Sequence, residues 1–289
     1  MKDNFNNLAI KQFSNLVIDS HAHLNFNAFK DDGDEVVKKC LDNNVWVVNV
    51  GSEFKTSRRA VEYANRYSEG VYAIVGLHPI HVWTDDEKKI EEISNENINY
   101  REKFDYQKYL DLAKDKKVVA IGEVGLDYHH FQEGDDIELI KEKQKEIFIE
   151  FIKVANEVDK PIAIHCWDAY KDLLEILKEH PVNKKGIIHS FVGSYKTARE
   201  FRELGFKLSF NGVITYSVSY DKVIKDTPIE DILVETDCPY LTPKPLARDE
   251  RNEPMNVKYV LEKIAELKGM DLDEARKIIT RNTREVFEI

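Results

Sequence analysis

Short runs of apolar, mostly β-branched residues recur along the chain and are separated by longer amphipathic segments. Eight of these runs are almost continuously apolar, as is typical of strands buried on both faces: LVIDSH, VWVVNVG, VYAIVGLH, VVAIGEVG, PIAIHC, GIIHSF, FKLSFNG and ILVETD. The segments between them, such as DEVVKKCLDNN, IKEKQKEIFIEFIKVANEVDK and AYKDLLEILKEH, carry the apolar spacing of helices. This alternation predicts an α/β fold, a (β/α)8 TIM-type barrel, with a doubly wound parallel sheet as the alternative.

One interval and the end of the chain depart from this alternation. The interval from Trp83 to Lys117 is long and charged, and TDDE at 84–87 fits a capping box, so we interpret it as an elaborated helical connection. The final segment predicts two helices outside the barrel, the second capped by Asp271 with Glu274. We predict a single domain over 1–289, with a core from 16 to 289 and a short N-terminal extension, 1–15.

Composition narrows the function classes. The net charge of −11 counts against a broad basic surface for nucleic acid, but not against a small phosphate site built around cations. The three cysteines make no disulfide framework. Because no apolar run approaches the roughly 20 residues of a membrane helix and the first residues are too polar for a secretory signal, we expect a cytoplasmic protein. No association element is evident, so we expect a monomer.

Side chains that can bind a metal gather where the predicted strands end, and these ends share one rim in such a barrel. The first strand ends in His21 and His23, which point the same way because strand side chains alternate. The later strands add His78, Glu123, His165, His189, Asn211 and Asp237. Since a carboxylate that follows an apolar run is costly to bury unless it is paired or metal-bound, the set predicts a metal centre.

We predict that this centre holds two divalent metal ions. The donors divide into a first group, a second group and a bridge, namely His21, His23 and Asp237; His165 and His189; and Glu123. Imidazole and carboxylate ligands suit Zn²⁺ or Mn²⁺, and Mg²⁺ where a phosphate supplies further oxygens. Two such ions clamp a substrate oxygen and activate water. We assign catalytic roles to Glu123, as the bridge, and to Asp237, which either orients and deprotonates the nucleophile or is a plain ligand.

The motifs around these residues resemble those of the TatD family of metal-dependent hydrolases, within the amidohydrolase-like barrels. IDSHAHLNF, GLHP, IGEVGLDYH, IHCWDA, IHSFVGS, SFNGVITY, ETDCPYLTP and RNEP follow the family's order from residue 18 to residue 254. The resemblance implies a TIM-type barrel with a divalent-metal site at the same six residues. It also implies hydrolysis, most often of DNA phosphodiesters by a 3′→5′ exonuclease, so the expected substrate is DNA or another phosphodiester, bound at single-stranded ends.

Some positions depart from the family pattern. Trp167 stands where the family often has an Arg, Ile80 stands where the second His of HPH would be, and HSFVG replaces HCFSG. Because an Arg binds phosphate through two parallel hydrogen bonds and neither Trp nor Ile does, phosphate recognition is the property most affected. Arg251 and His81 are candidate substitutes.

Other residues are candidates for contacts around the metals. We expect His78 to contact a phosphate or the leaving group, Glu235 to support the ligands or add one more, and Asn211 to contact substrate. Three aromatic residues are candidates for stacking on a nucleobase, namely Tyr128, Phe191 and Trp167.

Two other functions stay open. The same chemistry serves a carbonyl ester or an amide, as in a D-aminoacyl-tRNA deacylase or an amidohydrolase, although Glu123 occupies the position of the carboxylated Lys that some amidohydrolases use. A substrate panel separates these reactions. The second alternative is a barrel without catalysis that serves as a binding protein, which retention of every predicted ligand argues against.

Overall fold

The computed structural model describes residues 15–82 and 101–289, and eight parallel strands form its centre. In chain order they are β1 Val17–Ala22, β2 Val45–Val50, β3 Val71–Val75, β4 Val118–Asp127, β5 Ile162–Trp167, β6 Gly186–Ile188, β7 Lys207–Phe210 and β8 Ile232–Val234. Each strand pairs with the next one along the chain. All eight predicted strands are present, and the predicted TIM-type barrel is confirmed.

The first and last strands meet where the chain leaves β8. The main-chain nitrogen of His23 donates to the carbonyl oxygen of Cys238 at 2.9 Å, and that of Asp237 donates to the carbonyl oxygen of His21 at 2.8 Å. A doubly wound sheet is excluded, because its strand order reverses and its first and last strands do not meet. This contact brings the end of β1 beside the segment that follows β8.

Helices surround the barrel and connect its strands. They are α1 Gly33–Asp42, α2 Phe54–Ala64, α3 Tyr106–Ala113, α4 Ile137–Glu157, α5 Tyr170–Glu179, α6 Tyr195–Glu203, α7 Asp221–Asp226, α8 Val257–Lys268 and α9 Leu272–Phe287. The predicted final pair corresponds to α8 and α9, and the Asp271 carboxylate caps α9 by accepting from the main-chain nitrogens of Asp273 and Glu274. No helix in the described ranges is long and apolar enough to cross a membrane.

The last helix closes the end of the barrel at which the strands begin. Phe287 of α9 joins an apolar cluster that includes Ile18 of β1, Val48 of β2 and Leu233 of β8. The Thr280 hydroxyl also donates to the carbonyl oxygen of Leu16 at 2.8 Å. The opposite end, where the strands finish, is left open for a functional site.

Part of the elaborated connection lies outside the described residues. The TDDE motif at 84–87 and the rest of 83–100 belong to this part, as do residues 1–14 of the N-terminal extension. Within 101–117, α3 confirms the predicted helix, and the Asp105 carboxylate caps it by accepting from the main-chain nitrogen of Lys108.

Candidate metal centre

The two histidines at the end of β1 face the carboxylate of Asp237, which follows β8, the last strand of the barrel. His23 Nε2 lies 3.2 Å from Asp237 Oδ1, and His21 Nε2 lies 3.8 Å from the same oxygen. His23 Nδ1 lies 2.9 Å from the carbonyl oxygen of Val50, which can only accept, so Nδ1 carries the proton. The free lone pair of His23 is therefore on Nε2, which faces Asp237 and is available to a metal.

Glu123 of β4 lies between the two predicted ligand groups. Its Oε2 is 3.3 Å from His21 Nε2 and 4.0 Å from His23 Nε2. Its Oε1 is 2.9 Å from His165 Nδ1 and 3.4 Å from His189 Nε2. Each oxygen of the carboxylate thus faces a different group, which is the arrangement required of a bridging ligand.

His78 lies within the second group rather than beside it. Its Nε2 is 3.2 Å from His165 Nδ1 and 3.3 Å from Glu123 Oε1. The nearest donor atoms of these three residues all lie within 4.8 Å of one another. The sequence assigned His78 a substrate contact, whereas its position lets it reach the same cation as His165.

The second group is held from behind by two buried carboxylates. Asp127, the last residue of β4, has its Oδ2 2.9 Å from His165 Nε2, which leaves Nδ1 directed toward Glu123. Glu235 Oε1 lies 2.9 Å from His189 Nδ1. Carboxylates behind ligating histidines fix the ring orientation and raise ligand basicity. Glu235 therefore has the supporting position that was one of its two predicted roles, and Asp127 has a similar position although no motif in the sequence singled it out.

A further buried carboxylate positions the segment that carries Asp237. Asp19 Oδ1 accepts from the main-chain nitrogen of Thr236 at 2.9 Å, and its Oδ2 accepts from the Thr236 hydroxyl at 2.5 Å. Burial raises the pKa of this fully buried carboxyl. Asp237 itself has a φ of 58°, a left-handed conformation that Asp tolerates better than most residues. The signal for Asp19 was present in the sequence as an acidic residue inside a buried strand.

The electrostatics of the cluster match a site built for positive charge. Burial by itself would raise the pKa of Glu123, but the charges of His78 and His189 hold it well below its usual range. Burial opposes the protonation of His165, yet its hydrogen bonds to Asp127 and Glu123 raise its pKa to about 9. In the absence of a metal, protonated imidazoles thus supply the positive charge that the carboxylates require.

His21 shows most directly that the residues fit a divalent cation. The side chain is fully buried, and within the described part of the chain neither ring nitrogen makes a hydrogen bond. Burial, together with the charge of His189, lowers the pKa of His21, so the ring is neutral as a metal ligand must be. Burying an imidazole whose ring nitrogens make no hydrogen bond is costly, and a cation held with His23 and Asp237 would satisfy it.

A cavity of about 740 Å³ opens over these donors. Its floor is formed by the histidines and carboxylates of the donor cluster. Much of its wall is apolar and is formed by Phe26, Ile80, Trp167, Val192, Tyr240 and Leu241. Among the described residues, no Lys or Arg lines it, but His81 and His130 do. The cavity therefore offers an apolar wall and imidazoles around a strongly polar floor.

Three of the residues predicted to lie around the metals do not line this cavity. Arg251 donates to both oxygens of Asp32, at 2.9 and 2.6 Å, which turns the guanidinium away from the site. Asn211 donates to the Ser190 hydroxyl at 2.7 Å and is fully buried. Glu235 accepts from the main-chain nitrogen of Ser190 at 2.8 Å. Asn211 and Glu235 thus shape the loop after His189, and His81 is the one proposed phosphate-binding substitute at the cavity wall.

The three aromatic residues predicted to stack on a nucleobase differ in whether they can reach the cavity. Phe191 is buried in the core, and its ring lies 5.7 Å from that of Tyr170. The Tyr128 hydroxyl donates to Asp172 at 2.8 Å, and Tyr128 does not line the cavity. Trp167 is 39% exposed and lines the cavity, so it alone of the three is placed to meet a substrate.

A cluster of histidines and carboxylates at the carboxyl ends of a parallel barrel defines the class of metal-dependent barrel hydrolases. The family model for TatD-related DNases matches residues 18–288, and the chain belongs to this family. It is 39% identical to the Bacillus subtilis protein "Uncharacterized metal-dependent hydrolase YabD" over 95% of this chain and 100% of the relative. It is 29% identical to the mouse protein "Putative deoxyribonuclease TATDN3" over 94% of this chain and 88% of that protein.

A solved structure agrees with the family assignment. The crystal structure of YJJV, a TatD homologue from Escherichia coli, superposes with a TM-score of 0.78 at 27% identity. The match covers 96% of this chain and 99% of that one. The chain is therefore a metal-dependent hydrolase of the TatD family, with the histidine and carboxylate clusters described above able to bind metal.

Proposed function

We propose that the protein is a deoxyribonuclease that removes nucleotides from the 3′ end of single-stranded DNA with the help of two divalent metal ions, Mg²⁺, Mn²⁺ or Zn²⁺. The observation that carries the proposal is the position of Glu123, whose two oxygens face two separate donor groups 3.3 Å and 2.9 Å away. The family description and the name of TATDN3 support DNA as the substrate.

The candidate ligands would divide between the two cations. His21, His23 and Asp237 would hold one cation and His78 and His165 the other, with Glu123 shared, while His189 falls in a donor set with His21 and Glu123. When bound, such a pair of cations neutralises charge on the phosphoryl oxygens and lowers the pKa of water. Asp237 is the donor-cluster carboxylate closest to solvent, with 17% of its side chain exposed, so it can accept the proton of the attacking water.

The test is hydrolysis of single-stranded DNA carrying a 3′ label by metal-stripped protein, with each of the three metals added back. Stepwise loss of 3′ nucleotides that requires metal is the expected result. Glu123→Gln keeps the size of the side chain but removes the bridging charge, so we expect kcat to fall at least about 100-fold. Full activity of Glu123→Gln with unchanged metal content would contradict the bridging role.

One observation favours a second candidate, hydrolysis of a carbonyl ester or an amide. The cavity wall is largely apolar, and no Lys or Arg of the described residues lines it, whereas proteins usually hold a nucleic-acid backbone with such side chains. A panel of phosphodiesters, carboxylic esters, amides and aminoacyl-tRNA esters separates the two candidates. Metal-dependent turnover of the carbonyl substrates alone would contradict the nuclease proposal and support the second candidate.

A further inference from the structure

His130 lies at the wall of the cavity but outside the donor cluster. It follows β4 in the chain, three residues after Asp127, and both its main chain and its ring are bound to that carboxylate. The main-chain nitrogen donates to Asp127 Oδ1 at 2.9 Å, and ring atom Nδ1 lies 2.8 Å from Oδ2. Because an ionised carboxylate only accepts, Nδ1 carries a proton and Nε2 is the atom free to exchange one.

The ring is held in one orientation and is open to water. It meets the Trp167 ring edge to face, with centroids 4.8 Å apart and planes at 86°. About two-fifths of the side chain is exposed, since its relative accessibility is 40%. Nε2 makes no hydrogen bond with residues 15–82 or 101–289. A fixed imidazole with one free, wetted nitrogen is what repeated proton transfer requires.

His130 is linked to the metal cluster through a single shared carboxylate. Asp127 Oδ2 lies 2.9 Å from His165 Nε2 as well as 2.8 Å from His130 Nδ1. The other ring nitrogen of His165 faces Glu123. His130 therefore stands beside the second group at the cavity wall, and one carboxylate separates it from His165.

We propose that His130 is a catalytic residue that donates a proton to the leaving group, an inference that rests on the proposed hydrolysis. As the water oxygen forms its bond to phosphorus, the bond from phosphorus to the leaving oxygen breaks, and that oxygen takes the proton from Nε2. Asp127 stabilises the imidazolium before the transfer, in the manner of a carboxylate that orients a catalytic histidine. Asp237 takes the proton of the attacking water, and solvent then restores both residues, so one water is consumed.

The inference predicts that the role of His130 depends on the leaving group. A sugar alkoxide departs poorly without a proton, whereas 4-nitrophenolate departs readily without one. General acid catalysis accelerates a reaction by a factor of about 10² to 10⁴, and only the reaction with the poor leaving group is accelerated in this way. A residue that merely binds substrate or supports the fold affects both substrates equally.

The experiment compares the metal-saturated full-length protein with its His130→Gln variant on two substrates that release the same thymidine 5′-monophosphate. One is the dinucleotide thymidylyl-thymidine, with a sugar alkoxide as leaving group, and the other is thymidine 5′-(4-nitrophenyl) phosphate. We expect kcat of the variant to fall about 100-fold or more on the dinucleotide and less than about threefold on the aryl ester. Bound metal, measured by mass spectrometry, is expected to be unchanged.

His129→Gln is the matched control. His129 is the adjacent histidine, its Nδ1 lies 2.9 Å from the Asp168 carboxylate, and its ring stacks on Trp167 at 4.6 Å. Unlike His130, it does not line the cavity. We expect this variant to match the wild type on both substrates. An Asp127 variant is unsuitable here, because it would also disturb His165.

Three results for His130→Gln would overturn the inference: equal losses on the two substrates, no loss on either, or a loss of bound metal. Wild-type protein that cleaves neither diester would overturn the proposed nuclease function instead. In that case an ethyl ester and a 4-nitrophenyl ester of one carboxylic acid provide the same comparison of leaving groups. Equal effects of His130→Gln on that pair, or no turnover of it by the wild type, would overturn the inference as well.

Discussion

At the scale of single residues, the Asp127 carboxylate contacts two histidines, His165 in the donor cluster and His130 at the cavity wall. Its Oδ2 lies 2.9 Å from His165 and 2.8 Å from His130, while its main-chain nitrogen donates to Gln144 Oε1 at 2.9 Å. Burial would raise the pKa of Asp127, but the hydrogen bond and charge of His165 lower it, so the group stays ionised. A permanent negative charge there fixes the tautomer of both rings.

Asp127→Asn tests this role. The amide keeps the size of the side chain but loses the charge and one acceptor, so the ring of His165 is held less firmly. We expect the affinity for the cation of the second group to fall about 10- to 100-fold, as for other carboxylates behind ligating histidines. Competition with a calibrated chelator measures the affinity. Asp168→Asn, which removes an exposed partner of His129, is the control and is expected to bind metal normally.

At the scale of secondary-structure elements, the register of β4 and β5 places the second group. Gly125 of β4 pairs with His165 of β5. A Cβ atom at Gly125 would lie 2.0 Å from the carbonyl oxygen of His165, and φ at this glycine is 141°. The glycine therefore permits a close approach of the two strands that no other residue allows.

Gly125→Ala is expected to separate the two strands and destabilise the barrel. Overpacking costs about 1–3 kcal/mol, and the backbone conformation, which L-residues rarely adopt, adds about 1–3 kcal/mol. Gly134→Ala is the control, since Gly134 also has a positive φ of 87° but has nothing within 4 Å of the added methyl group. We expect urea unfolding to show a loss at least twofold larger for Gly125→Ala than for Gly134→Ala. Equal losses would mean that conformational strain alone decides the outcome.

The sequence predicted the elements because buried parallel strands are continuously apolar, which makes them conspicuous. The rule that strand ends share a rim then brought His21, Glu123 and Asp237 together correctly in space. It could not place Arg251, because its partner Asp32 lies 219 positions earlier in the chain. It also missed Asp127, since the hydrogen bond to His165 depends on how β4 and β5 are aligned, which no local pattern encodes.

At the scale of the whole molecule, negative charge and the cavity lining together limit how a nucleic acid can be held. The chain carries a net charge of −11. Two basic side chains of the segment that follows β8, Lys244 and Arg248, lie over the ring of Tyr216 at 5.2 and 5.5 Å, outside the cavity lining. If the proposed nucleic-acid substrate binds here, its recognition would rely on the metal site and on the apolar wall rather than on a basic surface.

A shallow salt dependence follows from this distribution of charge. Each phosphate neutralised by a cationic side chain contributes about 0.7 to the slope of log affinity against log salt for a single strand. We expect the slope of log KM for a single-stranded oligonucleotide to stay below about 2 between roughly 50 and 200 mM KCl. A steeper slope that Lys244→Ala and Arg248→Ala reduce would show that a strand leaves the cavity across Tyr216.

The contact between His23 and Asp237 has a consequence for synthesis on the ribosome. These side chains lie 3.2 Å apart in space but 214 positions apart in the chain. This pair of candidate ligands is incomplete until the segment after β8 has emerged, and the end of the barrel where the strands begin is not closed until α9 follows. A nascent chain therefore exposes β1 without its last neighbour for most of translation. A cation that needs both His23 and Asp237 would therefore bind late, after most of the polypeptide has emerged.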